Sequence, residues 1–441
     1  VTHHHRYAGP RQGRRRLQRL WLLGGTCLIC GVSGRASAQL LERYEPSGIP
    51  GYPDWFTDGV QPSADTGYEP LPVKVGALQV DPVLSESAGY DSNVVNSEHP
   101  AGSATIETAP AMHAGTDWAR NAIDLSLSAD DVRYLDAPQD SYTGWAASAG
   151  GRLDIDNDHA TLAFTHATVF NLPTEIGTFG FLRPVETSIE DGRASYQWQF
   201  GRFEIAPSLD IADYVNSGGG VPADQVKRDD RIAYTATLAL HYALSDSASL
   251  VLIGSDTEAR FGFTQPGTPS LNFSDASVLA GIDVHPEGVL RYRALIGYEQ
   301  LMFGAAGLGN TSTPAAELDA VWQPTPITTL TGRVTRSLQD SPGAPDGTYT
   351  YTAVHARVDH AYLRNLILNA GIDYQSGDFT DNGGRQSVFT ASTGVTWQLN
   401  RGLALAVNYS FQALSATGAF TRDTTRSIAT VRLTIRPGAL D

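Results

Sequence analysis

From about Val75 onward, apolar and polar residues alternate with a period of two, and the pattern returns in segment after segment. Within 289–300, Leu290, Tyr292, Ala294, Ile296 and Tyr298 fall on one face, and Arg291, Arg293, Gly297 and Glu299 on the other. Ile123, Leu125, Leu127 and Ala129 stand against Asp124, Ser126, Ser128 and Asp130 in the same way. The pattern returns in Leu366 to Gln375 and closes the chain, where Ala429, Val431, Leu433 and Ile435 alternate with Thr430, Arg432, Thr434 and Arg436. Successive strand side chains point to opposite faces of a sheet, so each segment reads as a strand with one apolar and one polar face. A chain built almost wholly of such strands has to close its sheet or hide its edges.

The breaks between these segments alternate in length. Short turns fall at 117–120, 156–158, 200–202, 245–247, 285–288, 324–326, 363–365 and 400–402. Between them lie longer stretches rich in Gly, Pro and Asp: 86–103, 131–141, 172–184, 216–229, 256–270, 303–312, 339–347, 376–385 and 414–425. Tight turns on one side and longer loops on the other are the pattern of an up-and-down transmembrane β-barrel. Nine long and eight short connections imply about 18 antiparallel strands, with 16 the nearest alternative, and place both ends of the barrel on the periplasmic side. Aromatic residues gather toward strand ends, as in Tyr134, Tyr142 and Trp145, Tyr196 and Trp198, Tyr349 and Tyr351, and Tyr409 and Phe411, and are expected to form interfacial girdles.

Composition excludes the helical alternative. Apolar residues make up 41% of the chain and mean hydropathy is −0.20. No stretch beyond the N-terminal region approaches the ~18 consecutive apolar residues of a spanning helix. The N-terminal region itself reads as an export signal. Arg11, Arg14, Arg15, Arg16 and Arg19 precede an apolar run from Leu20 to Val32, and Ala36-Ser37-Ala38 forms an A-x-A site with cleavage expected before Gln39. The expected organisation is therefore a signal peptide over 1–38, an extended periplasmic lead-in over 39–74, and a barrel over 75–441.

Cys27 and Cys30, the only cysteines, lie within the signal, so the mature chain has no thiol chemistry. The formal charge of −16 becomes more negative once the signal's seven arginines are removed, which argues against nucleic acid as a partner. No cofactor is expected, because His166, His241, His285, His355 and His360 are scattered without ligand spacing. His355, Asp359 and His360 form the one acid/base grouping, and no nucleophile motif accompanies it, so no enzymatic activity is expected. The segment 39–74 is too short for the plug domain of an energised transporter.

Several stretches carry a more specific likeness. They are Ser87-Ala88-Gly89-Tyr90-Asp91-Ser92-Asn93-Val94, Trp118 to Leu125, Arg133 to Asp136, Asp140 to Thr143 and Gly151 to Ile155, in that order. With them the chain resembles the putative β-barrel porin 2 family of proteobacterial outer-membrane proteins. The resemblance implies an outer-membrane channel, in some members associated with exopolysaccharide synthesis and export, and it implies no catalytic residues. The ending Ile435 to Asp441 lacks the terminal aromatic on which many barrels rely for assembly.

About 18 closed strands leave an aqueous channel. The polar faces supply Arg291, Arg293, Arg333, Arg357 and Arg432 as candidate lumen-lining cations. Glu204, Asp210, Glu299, Asp359 and Asp373 are the candidate anions. Such side chains cost little against water, whereas each arginine would cost roughly 2–4 kcal/mol at the lipid midplane. The expected function is passive passage of small polar solutes; the alternative is a barrel accessory to exopolysaccharide export. The expected partners are outer-membrane lipid and lipopolysaccharide, the barrel-assembly machinery, and, in the alternative, polysaccharide-export components. A monomer and a trimer both fit the sequence.

Overall fold

The period of two fixes where the sheet meets lipid and where it meets water, and the fold follows it strand by strand. The computed structural model describes residues 49–50, 71–178, 181–264, 267–285, 289–340, 348–379, 384–418 and 421–439. The expected signal peptide lies outside the described residues, as does the 39–74 segment apart from Ile49, Pro50 and 71–74.

A short strand, β1 (Val73–Val75), precedes eighteen long ones. The first six of these are β2 (Leu78–Asp91), β3 (Ser103–Thr116), β4 (Ala122–Tyr134), β5 (Tyr142–Ile155), β6 (Asp158–Asn171) and β7 (Val185–Phe200). Next come β8 (Phe203–Gly218), β9 (Arg231–Ser245), β10 (Ala248–Phe261), β11 (Phe273–Val284), β12 (Leu290–Phe303) and β13 (Thr311–Thr325). The ring is completed by β14 (Thr328–Asp340), β15 (Thr348–Leu363), β16 (Leu366–Phe379), β17 (Arg385–Gln398), β18 (Leu403–Thr417) and β19 (Arg422–Ile435). One helical turn, α1 (Ala223–Val226), sits in the connection after β8. Among the described residues no helix is long and apolar enough to cross a membrane.

Each strand from β2 to β19 pairs antiparallel with the next, and β19 pairs with β2 between Ile428↔Asp91 and Ile435↔Leu84, so the sheet closes. Following the register once round the ring returns to β2 displaced by about 22 residues, which corresponds to a tilt of roughly 40° and a cylinder on the order of 35 Å across. β1 fills the seam below β19 by pairing with Leu78 to Val80 of β2, through a turn at Gly76 with φ of 65°. The C-terminal 3₁₀ turn Pro437–Ala439 lies against it, with Gly438 beside Val73 and Leu71.

The outward face carries an apolar belt that includes Ile123, Leu125, Leu127, Leu162, Phe164, Leu209 and Ile296. Around its lower edge run Trp198, Phe200, Phe203, Tyr242, Trp322, Tyr362 and Trp397. Phe203 stacks between Phe200 (5.7 Å) and Tyr242 (4.9 Å). Around its upper edge run Tyr90, Trp145, Tyr234, Tyr298, Tyr374 and Tyr409. Above that row the outward side chains become charged, with Arg260 on Glu258 (3.0 Å) and Arg385 on Asp378 (2.6 Å). Ile296 is the most exposed apolar side chain of the belt at 74% and stands between Tyr292 and Tyr298. Arginine at Ile296 is expected to destabilise the lipid-embedded barrel by roughly 2–4 kcal/mol, measured as a lower midpoint of denaturant unfolding from lipid vesicles, whereas asparagine at Asp378, in the charged row above the belt, should change it far less.

Strands outrun the expected loop boundaries. Asp256 to Phe261 belongs to β10 and Ser376 to Phe379 to β16, although both fall in stretches whose composition reads as loop. The apolar alternation stops where the lipid stops, while hydrogen-bonded pairing continues above it. The last two outer connections, 380–384 and 418–421, are correspondingly short. The girdle expectation also divides. Trp145, Tyr196, Trp198, Tyr409 and Phe411 face outward, whereas Tyr134, Tyr142, Tyr349 and Tyr351 have the opposite parity and face the lumen.

Candidate functional site

The ten charged side chains singled out in the sequence all lie on the face opposite the apolar belt, and neighbouring strands supply most of their partners. Arg293 Nε meets Glu317 at 3.1 Å, Arg333 Nε meets Asp319 at 2.5 Å, and Arg432 Nη2 reaches Glu107 at 2.9 Å. Asp210 accepts from Arg193 at 2.7 Å, and Glu204 from the Gln199 amide at 3.0 Å. Within β15, Arg357 grips Asp359 through two bonds of 2.7 and 2.6 Å, a contact between two members of the expected set. Asp373 faces His355 at 3.5 Å and accepts from Gln375 at 2.7 Å. Glu299 accepts the Leu338 backbone N–H at 2.7 Å, and Arg291 continues the row of Arg293 along β12.

The partners Glu107, Arg193, Glu317 and Asp319 were not singled out in the sequence. Arg193, Glu317 and Asp319 sit on a neighbouring strand at or next to the opposite position, and Glu107 sits on β3, two strands from Arg432 across Ser87 of β2, so only the register reveals them. The acid/base grouping does not assemble. His355 turns to Asp373, Asp359 is held by Arg357, and His360 faces outward with Nδ1 at 2.9 Å from the Thr328 hydroxyl. Among the described residues no cluster of three or more His, Cys, Asp or Glu converges to hold a metal ion.

The wall is uneven around the ring. Seven of the ten candidates lie on β12 and β14 to β16. On the opposite side, β5 to β8 present a buried apolar cluster inward: Ala146, Ala167, Val169, Ile189, Ala212 and Tyr214.

Narrowing of the bore comes from the outer connections, which fold in. The loop 172–184 leaves β6 and rejoins at β7, yet its tip reaches β15 to β18, about half the ring away. There Ile176 packs among Tyr349, Tyr351, Phe379, Val388, Leu414 and Ala416. The Gly177 N–H donates to Gln386 Oε1 at 2.9 Å. The loop holds its own shape through the Thr178 hydroxyl, which donates to the carbonyls of Leu172 and Glu175, both at 2.7 Å. The far wall makes room at Gly377, where a Cβ would stand 2.7 Å from Ile176 Cγ2 and 2.8 Å from the Tyr349 ring. α1 braces the loop through Val226, which packs with Phe181 and Val185.

The loop 92–102 folds inward beside the seam. Val94 packs on Val132, Tyr134 and Ala137, and the Asn96 carboxamide oxygen accepts from Thr424 at 2.6 Å. Below it Arg426 and Asp91, each 2% exposed, pair through three contacts of 3.0, 3.0 and 2.5 Å across the β19–β2 junction. In the outer connection 135–141, burial pushes the Asp140 carboxyl above the ordinary carboxylate range, partly offset by the nearby Arg183 guanidinium and a hydrogen bond from Gln139.

The family model of putative β-barrel porin 2 matches residues 65–436, which takes in all of the strands described above. The chain belongs to this family. Among solved structures it is similar to the outer membrane protein OpdK from Pseudomonas aeruginosa, at 14% identity and a TM-score of 0.46, covering 81% of this chain and 99% of that one. A BenF-like porin from Pseudomonas fluorescens Pf-5 matches at 12% identity and a TM-score of 0.47, covering 82% and 99%. The FrpB iron transporter from Neisseria meningitidis matches at 10% identity and a TM-score of 0.43, covering 77% and 62%. No curated protein matches the chain. Family membership and the closed barrel make this porin an outer-membrane transport channel.

Proposed function

We propose that this porin passes small polar solutes passively, through a bore narrowed near its outer mouth by the loop 172–184, with a preference for cations. The observation that carries the proposal is the loop's anchorage on the far wall through Ile176 and Gln386. A loop pinned on both sides divides a wide cylinder into a passage that admits only small solutes. The preference for cations rests on charge. Acidic side chains outnumber basic ones on the described inward face, and fixed charges near a narrow passage enrich counter-ions. The paired side chains Arg357–Asp359 and Arg333–Asp319 keep the wall wet and locally neutral, whereas Asp373 faces His355 and Gln375 and, among the described residues, no arginine or lysine pairs with it. Export through a signal peptide cleaved after Ala38 is part of the same proposal.

Single-channel recording in planar bilayers tests it. The refolded mature chain should show discrete steps, and under a tenfold KCl gradient the reversal potential should take the sign of a cation-selective pore. Asparagine at Asp373 should move that potential toward zero by a measurable fraction. A reversal potential of the opposite sign would overturn the cation preference. Silence from a folded, heat-modifiable barrel would overturn passive conduction and leave the export-accessory reading.

A further inference from the structure

Ile49 and Pro50, the two described residues of the N-terminal segment ahead of 71, lie inside the barrel. Ile49 is 1% exposed and packs on Ala163 of β6. A Cβ on Gly150 of β5 would stand 2.5 Å from Ile49 Cγ2 and 2.6 Å from the Pro50 carbonyl oxygen. Gly150 and Ala163 face each other across the β5–β6 ladder, and Leu162 and Phe164, which flank Ala163 in the chain, are lipid-facing, so the seat is on the lumen wall. The wall around it is made of small side chains: Ala146 and Ser148 on β5, Thr165 and Ala167 on β6, all buried.

β1 runs antiparallel to β2, which rises toward the outer side, so the chain runs toward the periplasm along β1 before turning at Gly76 into the barrel wall. It therefore reaches Val73 from the level of the wall. Residues 51–70 lie outside the described residues; their number alone spans up to about 65 Å, more than the bore.

We propose that the lumen wall of β5 and β6 is a docking seat for this chain's own N-terminal segment, with Ile49–Pro50 as the seated pair, and that the pair, held in its seat, restricts the bore. The absence of a side chain at Gly150 is what admits the pair, because the nearest obstacle to a Cβ includes the Pro50 backbone carbonyl, which cannot swing aside as a side-chain tip would. Tethering makes a small contact sufficient, since a segment joined to the wall at β1 meets its seat at an effective concentration in the millimolar range. The consequence for conductance rests on the channel reading above; the seat itself does not.

Cross-linking tests the seat without reference to conduction. The only native cysteines, Cys27 and Cys30, precede the expected cleavage site, so an Ile49→Cys/Ala163→Cys variant should carry the sole thiol pair. Oxidation of the folded barrel in outer membranes should join the two in most molecules, detected by peptide mapping, while Ile49→Cys/Phe164→Cys should not cross-link. Failure of the first pair in a folded barrel, or equal linking of the second, would overturn the seat. Gly150→Leu should then raise the unitary conductance at least twofold, and the cross-linked protein should stay at or below the unmodified level. Where Gly150→Leu does not fold, Ile49→Gly/Pro50→Gly reads the same step. Cross-linking with no conductance change in either variant would overturn the restriction while keeping the seat. Silence of every variant, cross-linked or not, would instead count against the channel reading.

Discussion

Alanine at Arg426 is expected to destabilise the folded barrel by about 3–5 kcal/mol, seen as loss of the heat-modifiable band or a large drop in the denaturant midpoint. The expectation follows from burial. Arg426 and Asp91 are each 2% exposed, and the guanidinium contacts both carboxylate oxygens across the junction that closes the ring. Removing the cation strands a carboxylate where water does not reach, and Asp91 must also keep accepting the Asn93 N–H at 3.0 Å to hold the loop 92–102 inward. A double replacement, Asp91→Asn with Arg426→Leu, should recover much of the loss, because it leaves no charge unmatched and keeps a side-chain oxygen to accept the Asn93 N–H. Equal midpoints for wild type and Arg426→Ala would show that the junction closes on its backbone ladder alone.

The second large effect is expected from releasing the loop 172–184. In an Ile176→Ala/Gln386→Ala variant the loop loses a buried side chain, worth about 2–5 kcal/mol in well-packed sites, and a hydrogen bond worth on the order of 1 kcal/mol. Both contacts belong to loop docking and neither to the strand ladders, so the barrel should fold as before. The docked state should give way to an open one, raising unitary conductance several-fold and increasing open-channel noise. Unchanged conductance with a demonstrably freed loop would move the narrowest point elsewhere in the bore.

The strand pattern was legible because lipid imposes it. Where β12 meets lipid, Ile296 and Tyr298 alternate with Gly297 and Glu299, and the face of every charged candidate could be read from parity. Parity also carries information that position along the strand does not. Tyr349 and Tyr351 share the odd parity of Arg357 and Asp359 and therefore belong to the lumen. Strand ends were harder to read, because above the membrane both faces of β10 and β16 are polar and the alternation fades while the pairing does not.

The sequence by itself determined an antiparallel barrel of about 18 strands, with an apolar outside, a charged inside and outer connections longer than inner ones. Each of these depends on residues a few positions apart, which is the scale on which a period can be read. The tertiary structure alone decided which charges meet, such as Arg432 with Glu107 and Arg426 with Asp91. It also decided that the loop 172–184 crosses the bore and that Ile49 rests on Ala163. Those contacts join residues far apart in the chain. They depend on ring closure, on register accumulated strand by strand, and on small side chains such as Gly150 and Gly377 leaving space where a distant segment arrives.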